Sequence, residues 1–101
     1  MGHLKLPITK DSIANFCRRN HIQRLSLFGS VLRDDFRADS DVDVLVVFEP
    51  DYVVGFGIID IEQELSAMLG GHKVDLVNEK YLNPRLRDRI LSSAEVQYAE
   101  G

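Results

Sequence analysis

Cysteine is nearly absent from this sequence: Cys17 stands alone in 101 residues. An intrachain disulfide is excluded, and the count speaks against a zinc cluster. A lone thiol fits a reducing compartment. Long apolar runs are also missing. The longest, Val44 to Phe48, has the length of a strand and falls far short of a membrane span. The N-terminus lacks the apolar stretch of a signal peptide, so the expected location is cytoplasmic. No repeat, low-complexity segment or linker divides the chain, and residues 1–101 are expected to form one domain. A chain of this size buries a modest core and has little material left for a separate substrate-binding domain. Positive charge is scarce as well: 12 Lys and Arg face 16 Asp and Glu, a formal net charge of −4. That argues against an extended nucleic-acid footprint, which needs clustered Lys and Arg. It leaves a nucleotide ligand open, because acidic residues can hold metal ions that in turn hold phosphates.

Helical and strand-like segments alternate along the chain, which predicts an α/β domain. Thr9 can cap a first helix with Asp11 in its first turn, and Ile13, Phe16 and Cys17 fall on one face. A first strand is expected at about Ile22 to Phe28. It ends at Gly29-Ser30, where a short helix should start and run to about Asp35. Arg37 to Ser40 reads as a loop. Asp41 to Phe48 reads as a second strand whose near-continuous apolar run predicts cover on both faces, and Pro50 stops it. An amphipathic helix from about Val53 to Leu69 places Val54, Ile58, Ile61, Leu65 and Met68 on one stripe, with Glu62 and Glu64 off it. Gly70-Gly71 ends that helix. Lys73 to Val77 is a third strand. Asn83 and Pro84 open a last helix with Leu82, Leu86 and Ile90 as its buried stripe. Glu95 to Ala99 reads equally well as an edge strand or an ordered tail.

The chemistry concentrates in Phe28-Gly29-Ser30-Val31-Leu32-Arg33 and Asp39-Ser40-Asp41-Val42-Asp43. At Gly29 a phosphate can approach the backbone, because glycine has no Cβ. A helix starting there offers N–H groups and the positive end of a dipole. Ser30 adds a hydroxyl, and Arg33, one turn on, can reach the same phosphates. Taken alone, Gly-Ser is a common turn dipeptide. Asp41 and Asp43 lie two apart on a strand, so their side chains share a face. A divalent cation relieves their mutual repulsion, and Mg²⁺ suits oxygen ligands and triphosphate. In a two-metal arrangement, one ion activates the attacking oxygen and the other supports the leaving pyrophosphate. Alone, Asp-x-Asp also suits a polar strand start in water. Asp75 sits in the apolar run Val74-Asp75-Leu76-Val77, where a carboxylate is costly unless paired or metal-bound. It joins the other two if its strand lies beside the second one, and otherwise faces solvent on an edge.

The combination is more specific than its parts. Gly29-Ser30, ten intervening residues, Asp41-Val42-Asp43 and a later strand carrying Asp75 resemble the DNA polymerase β-type nucleotidyltransferase superfamily. Within it the spacing is similar to that of the minimal nucleotidyltransferases, the MNT antitoxins of HEPN/MNT toxin–antitoxin pairs. The resemblance spans nearly the whole chain. It implies a small mixed β-sheet packed with about four helices. It implies that Gly29 and Ser30 hold the triphosphate, that Asp41, Asp43 and Asp75 bind two Mg²⁺ ions, that Asp75 acts as base, and that Arg33 contacts phosphate. Many relatives carry glycine after that arginine, where this chain has Asp34.

The reaction implied by the resemblance moves AMP from ATP to a tyrosine hydroxyl of a HEPN RNase toxin and silences it. The acceptor then lies on another chain, and Tyr52, Tyr81 and Tyr98 are expected to be packing or surface residues. Two alternatives stay open: a non-catalytic antitoxin that neutralises its partner by binding, and a nucleotidyltransferase acting on a small molecule or an RNA end. His3, His21 and His72 are expected at the surface, although His72, near Asp75, could support a ligand. Lys73 suits a strand edge, Arg85, Arg87 and Arg89 a solvated helix face, and Cys17 a core position.

Overall fold

The computed structural model describes residues 8–33, 36, 37 and 39–100. His3, Asp34 and the expected helix end at Asp35 lie outside the described residues. Helix α1 (Lys10–Arg19) starts where a cap is available: the Thr9 hydroxyl accepts from the Ser12 amide at 3.1 Å. Ile13, Phe16 and Cys17 are its buried residues, as the periodicity predicts. Strand β1 (Ile22–Phe28) ends at Gly29, and β2 (Val42–Phe48) follows the loop. Helix α2 (Ile58–Met68) buries Ile61 and Leu65. Its end is a full Schellman closure. Gly71 N–H donates to Ser66 O at 2.9 Å and Gly70 N–H to Ala67 O at 3.4 Å, with both glycines at positive φ. Strand β3 (Val74–Asn78), helix α3 (Pro84–Ser93) and strand β4 (Glu95–Ala99) complete the chain.

The four strands form one mixed sheet in the order β3-β2-β1-β4. β1 runs antiparallel to both β2 and β4, and β2 runs parallel to β3. The parallel pair is possible because α2 carries the chain back along the sheet. One face of the sheet holds the core. Leu25, Leu27, Val42, Val44, Val46, Val74 and Leu76 cluster there with Phe16 and Cys17 of α1 and Ile61 and Leu65 of α2. The other face carries Phe28, Ser26 and Arg24 opposite Asp43, Leu45 and Val47. β2 is thus an interior strand, but its second face is only partly covered: Leu45 is buried, while Asp43 and Val47 are half-buried.

Several expectations need correction. There are three α-helices rather than about four among the described residues. After Gly29-Ser30 the chain makes a single 3₁₀ turn, Gly29–Leu32, because Arg33 already returns to extended backbone. α2 begins at Ile58 and not near Val53. Gly55 has φ +52°, and a right-handed helix cannot extend through it. The expected buried stripe of α3 does not form: α3 buries no residue, and Leu86 is exposed. Amphipathic spacing marks a face that could be covered, and among the described residues it is covered only in part, with Leu82 and Ile90 half-buried. Glu95 to Ala99, undecided from sequence, is a strand on the edge of β1. Among the described residues no helix is long and apolar enough to cross a membrane.

Candidate active site

Two neighbouring strands and the loop before one of them deliver the carboxylates to one end of the sheet. Asp43 is the second residue of β2. Its antiparallel partner is Phe28, the last residue of β1, and its parallel partner is Asp75 of β3. Residues in register on neighbouring strands project from the same face, so Asp43 and Asp75 are cross-strand neighbours. Asp41 lies just before β2, and its charge acts on Asp43. The dependence of Asp75 on strand order is thereby settled: β3 lies beside β2, and it is also the sheet edge, so Asp75 is solvent-exposed while Asp43 is half-buried.

The electrostatics follow from this register. Burial raises the pKa of Asp43, the neighbouring charges of Asp75 and Asp41 raise it further, and Arg33 opposes them. The four side chains therefore act on one region of space. Gly29 and Ser30 stand at its margin in a more specific way than the sequence implied. Gly29 has φ +76°, and a Cβ built there would collide with Oδ2 of Asp43. The space left by the missing side chain is taken up by the Asp43 carboxylate. Ser30 Oγ donates to the backbone carbonyl of Asp41 at 3.1 Å, tying the turn after β1 to the start of β2. The turn after Gly29 is one 3₁₀ turn long, so it carries little of the macrodipole that a full helix would bring to a phosphate.

The donor set suits a divalent cation. Like-charged carboxylates share a site in which ionisation of Asp43 is already disfavoured, and a bound cation removes that cost. Among the described residues no three His, Cys, Asp or Glu side chains stand close enough to hold a metal ion by themselves. A divalent cation at this end of the sheet would therefore need further ligands, and Mg²⁺ takes such ligands from substrate phosphates and water.

One feature escaped the sequence reading, and another, His72, was named there without its partner. Glu79 is buried and holds two arginines, Arg24 of β1 at 2.5 Å and Arg87 of α3 at 3.3 Å. Arg87 is exposed, as expected of a solvated face, and is also an ion-pair partner of Glu79. The cluster gave no local signal because Arg24 and Glu79 stand 55 residues apart. His72 reaches the loop before Asp41, with Nδ1 2.9 Å from Ser40 O. A cleft of about 660 Å³, lined by Phe48, Tyr52, Val54, Ile58, Tyr81 and Arg87 among others, contains none of the three aspartates. It opens where β2 ends, at the far end of the sheet from Asp43. The chemistry therefore points to the carboxylate end and not to this cleft.

The family model described as polymerase beta, nucleotidyltransferase, matches residues 11–100. The chain belongs to this nucleotidyltransferase family. Among its relatives is a Methanocaldococcus jannaschii protein provisionally designated a protein adenylyltransferase, 32% identical over 84% of this chain and 89% of that protein. Two solved structures share the fold. One is a toxin–antitoxin with AMP-PNP, with a TM-score of 0.74 at 22% identity over 91% of this chain and 74% of the other. The second is a tri-AMPylated Shewanella oneidensis HEPN toxin in complex with its MNT antitoxin. Its TM-score is 0.65 at 23% identity, over 89% of this chain and 69% of the other.

Proposed function

We propose that residues 1–101 form one minimal nucleotidyltransferase domain that transfers AMP from ATP to a tyrosine hydroxyl of a HEPN-family toxin and so acts as its antitoxin. The observation that carries this reading is the register of Asp43 against Asp75, beside the Gly29 turn, in a chain of this family. The adenylyltransferase designation of the relative and the AMPylated toxin of the structural neighbour supply the substrate class. The AMP-PNP complex of another neighbour supports ATP as donor. The cytoplasm is the compartment in which such a pair would meet its nucleotide.

In the reaction, the acceptor hydroxyl oxygen forms a bond to the α-phosphorus. The bond from that phosphorus to the bridging oxygen of the β-phosphate breaks, and pyrophosphate leaves. Asp75, exposed at the sheet edge, takes the hydroxyl proton. Ser30 and Arg33 hold phosphate oxygens, and Gly29 keeps the Asp43 carboxylate seated against the turn. Asp41, Asp43 and Asp75 would hold Mg²⁺, two ions in the full arrangement. When bound, Mg²⁺ supplies positive charge to the triphosphate and makes pyrophosphate a better leaving group.

The test is magnesium-dependent transfer. The chain is incubated with its HEPN partner, ATP and Mg²⁺, and both proteins are weighed by intact mass spectrometry beside the Asp41→Ala/Asp43→Ala variant. AMP added to the partner by wild type alone is the expected result. A variant that adds no AMP yet still neutralises the toxin, together with a wild type that adds none, would replace catalysis by occlusion.

A further inference from the structure

The three aspartates are not held equally. Asp43 is fixed on both sides by strand ladders, and Asp75 on one. Asp41 is exposed and precedes the first residue of β2, so no ladder fixes it. Its carboxylate position depends on the loop that ends in Ser40-Asp41. The two carbonyls of that dipeptide are each gripped by a side chain from another part of the chain. Ser30 Oγ donates to Asp41 O at 3.1 Å, and His72 Nδ1 lies 2.9 Å from Ser40 O. A carbonyl only accepts, so His72 carries a proton on Nδ1. The ring stacks on Phe36 with centroids 5.0 Å apart, and the backbone beneath it is held where the His72 carbonyl accepts from Ser66 Oγ of α2 at 2.5 Å. The loop is closed on itself, since Arg37 N–H donates to Ser40 Oγ at 2.9 Å and Ser40 N–H to Arg37 O at 3.0 Å.

We propose that His72 is a positioning residue that sets the carboxylate of Asp41 by holding the Ser40 carbonyl and stacking on Phe36. The Ser30 hydroxyl lies in the turn assigned to phosphate and can be drawn to the ligand. His72 then remains the clamp that nucleotide binding does not compete for. Losing its hydrogen bond lets the loop swing and separates Asp41 from Asp43, which weakens cation binding without touching a ligand. The proposal rests on the reading of Asp41 as a metal ligand.

Two variants separate the parts of the clamp. His72→Phe keeps a ring against Phe36 and loses the donor. His72→Asn keeps an amide N–H near the Nδ1 position and loses the ring. The probe is Mn²⁺ with AMP-PNP, read by electron paramagnetic resonance as the fraction of bound ion. His72→Phe is expected to weaken Mn²⁺ binding about tenfold, the lower end for groups that orient metal ligands. His72→Asn should stay close to wild type. Equal losses in both variants, or a His72→Phe protein that binds like wild type, overturn the clamp. Should His72→Phe fail to fold, the imidazole nitrogens of wild type decide the matter. A long-range ¹H–¹⁵N spectrum at alkaline pH showing the proton on Nδ1 supports the hydrogen bond, and one showing it on Nε2 alone overturns it. A wild type that binds no Mn²⁺, like an Asp43→Ala control, removes the metal site itself and this inference with it.

Discussion

Gly29 meets two demands that no other residue meets together. Its φ of +76° is costly for any residue with a side chain, and a Cβ would occupy the place of Asp43 Oδ2. Gly29→Ala is therefore expected to lower stability by about 1–3 kcal/mol through backbone strain. The steric conflict itself is relieved cheaply, because the colliding atom ends a side chain that can rotate. That rotation is the functional injury, since it moves the carboxylate. Urea midpoints should report the stability loss. AMP transfer should fall far more than the unfolded fraction explains, and a variant that keeps wild-type turnover would contradict the close packing of Gly29 on Asp43. At Cys17 the opposite holds, because packing silences chemistry. Burial pushes the thiol up to about 12, against a smaller lowering by Arg18, and the side chain is fully enclosed. A thiol reagent added to the native protein should leave Cys17 unmodified until denaturant exposes it.

At the scale of elements, the local signals were readable and the long-range ones were not. Thr9 capping α1, the stripe of Ile61 and Leu65, and the Gly70-Gly71 stop each act within a few residues, so sequence order contains them. The Gly-Ser and Asp-x-Asp spacing was legible because it lies within one short stretch of chain, although Asp41 itself falls just before β2. The place of Asp75 was not, since it depends on β3 pairing with β2. The edge role of β4 likewise needs a partner, β1, some seventy residues earlier. A further long-range case is the ion cluster at the other end of the sheet. Glu79 is buried, and Arg24 and Arg87 bring β1 and α3 to it. α3 buries no residue of its own, so this cluster is a main tie between α3 and the sheet. Arg24→Ala leaves a buried carboxylate with one of its two arginines and should cost about 1–3 kcal/mol. The loss belongs to folding, not to chemistry. Denaturation midpoints should drop, while kcat per folded molecule holds, since the cluster lies away from the aspartates.

Over the whole molecule, the fold works against its own charge. The chain carries a net charge of −4, and three of its carboxylates meet at one end of the sheet. In the folded protein Asp43 has a pKa raised above its ordinary value of 3.8, first by burial and then by Asp75 and Asp41. Between the ordinary and the raised value the folded state binds more protons than the unfolded one. Stability therefore falls as pH rises through that interval and stays lower above it. Asp43→Asn removes the ionisable group. In EDTA at neutral pH this variant should melt a few degrees above wild type, and the gap should narrow as pH is lowered into the carboxylate range. Ligand reverses the order. With Mg²⁺ and AMP-PNP at about 100 times the Kd, a protein that binds them gains roughly 2.7 kcal/mol. Wild type should show that gain and Asp43→Asn should not. Melting curves at several pH values, with and without ligand, check both halves. An apo variant no more stable than wild type at neutral pH would mean that the carboxylates do not repel one another in the folded chain. The electrostatic case for a cation at this end of the sheet would then fall, whatever the family's chemistry.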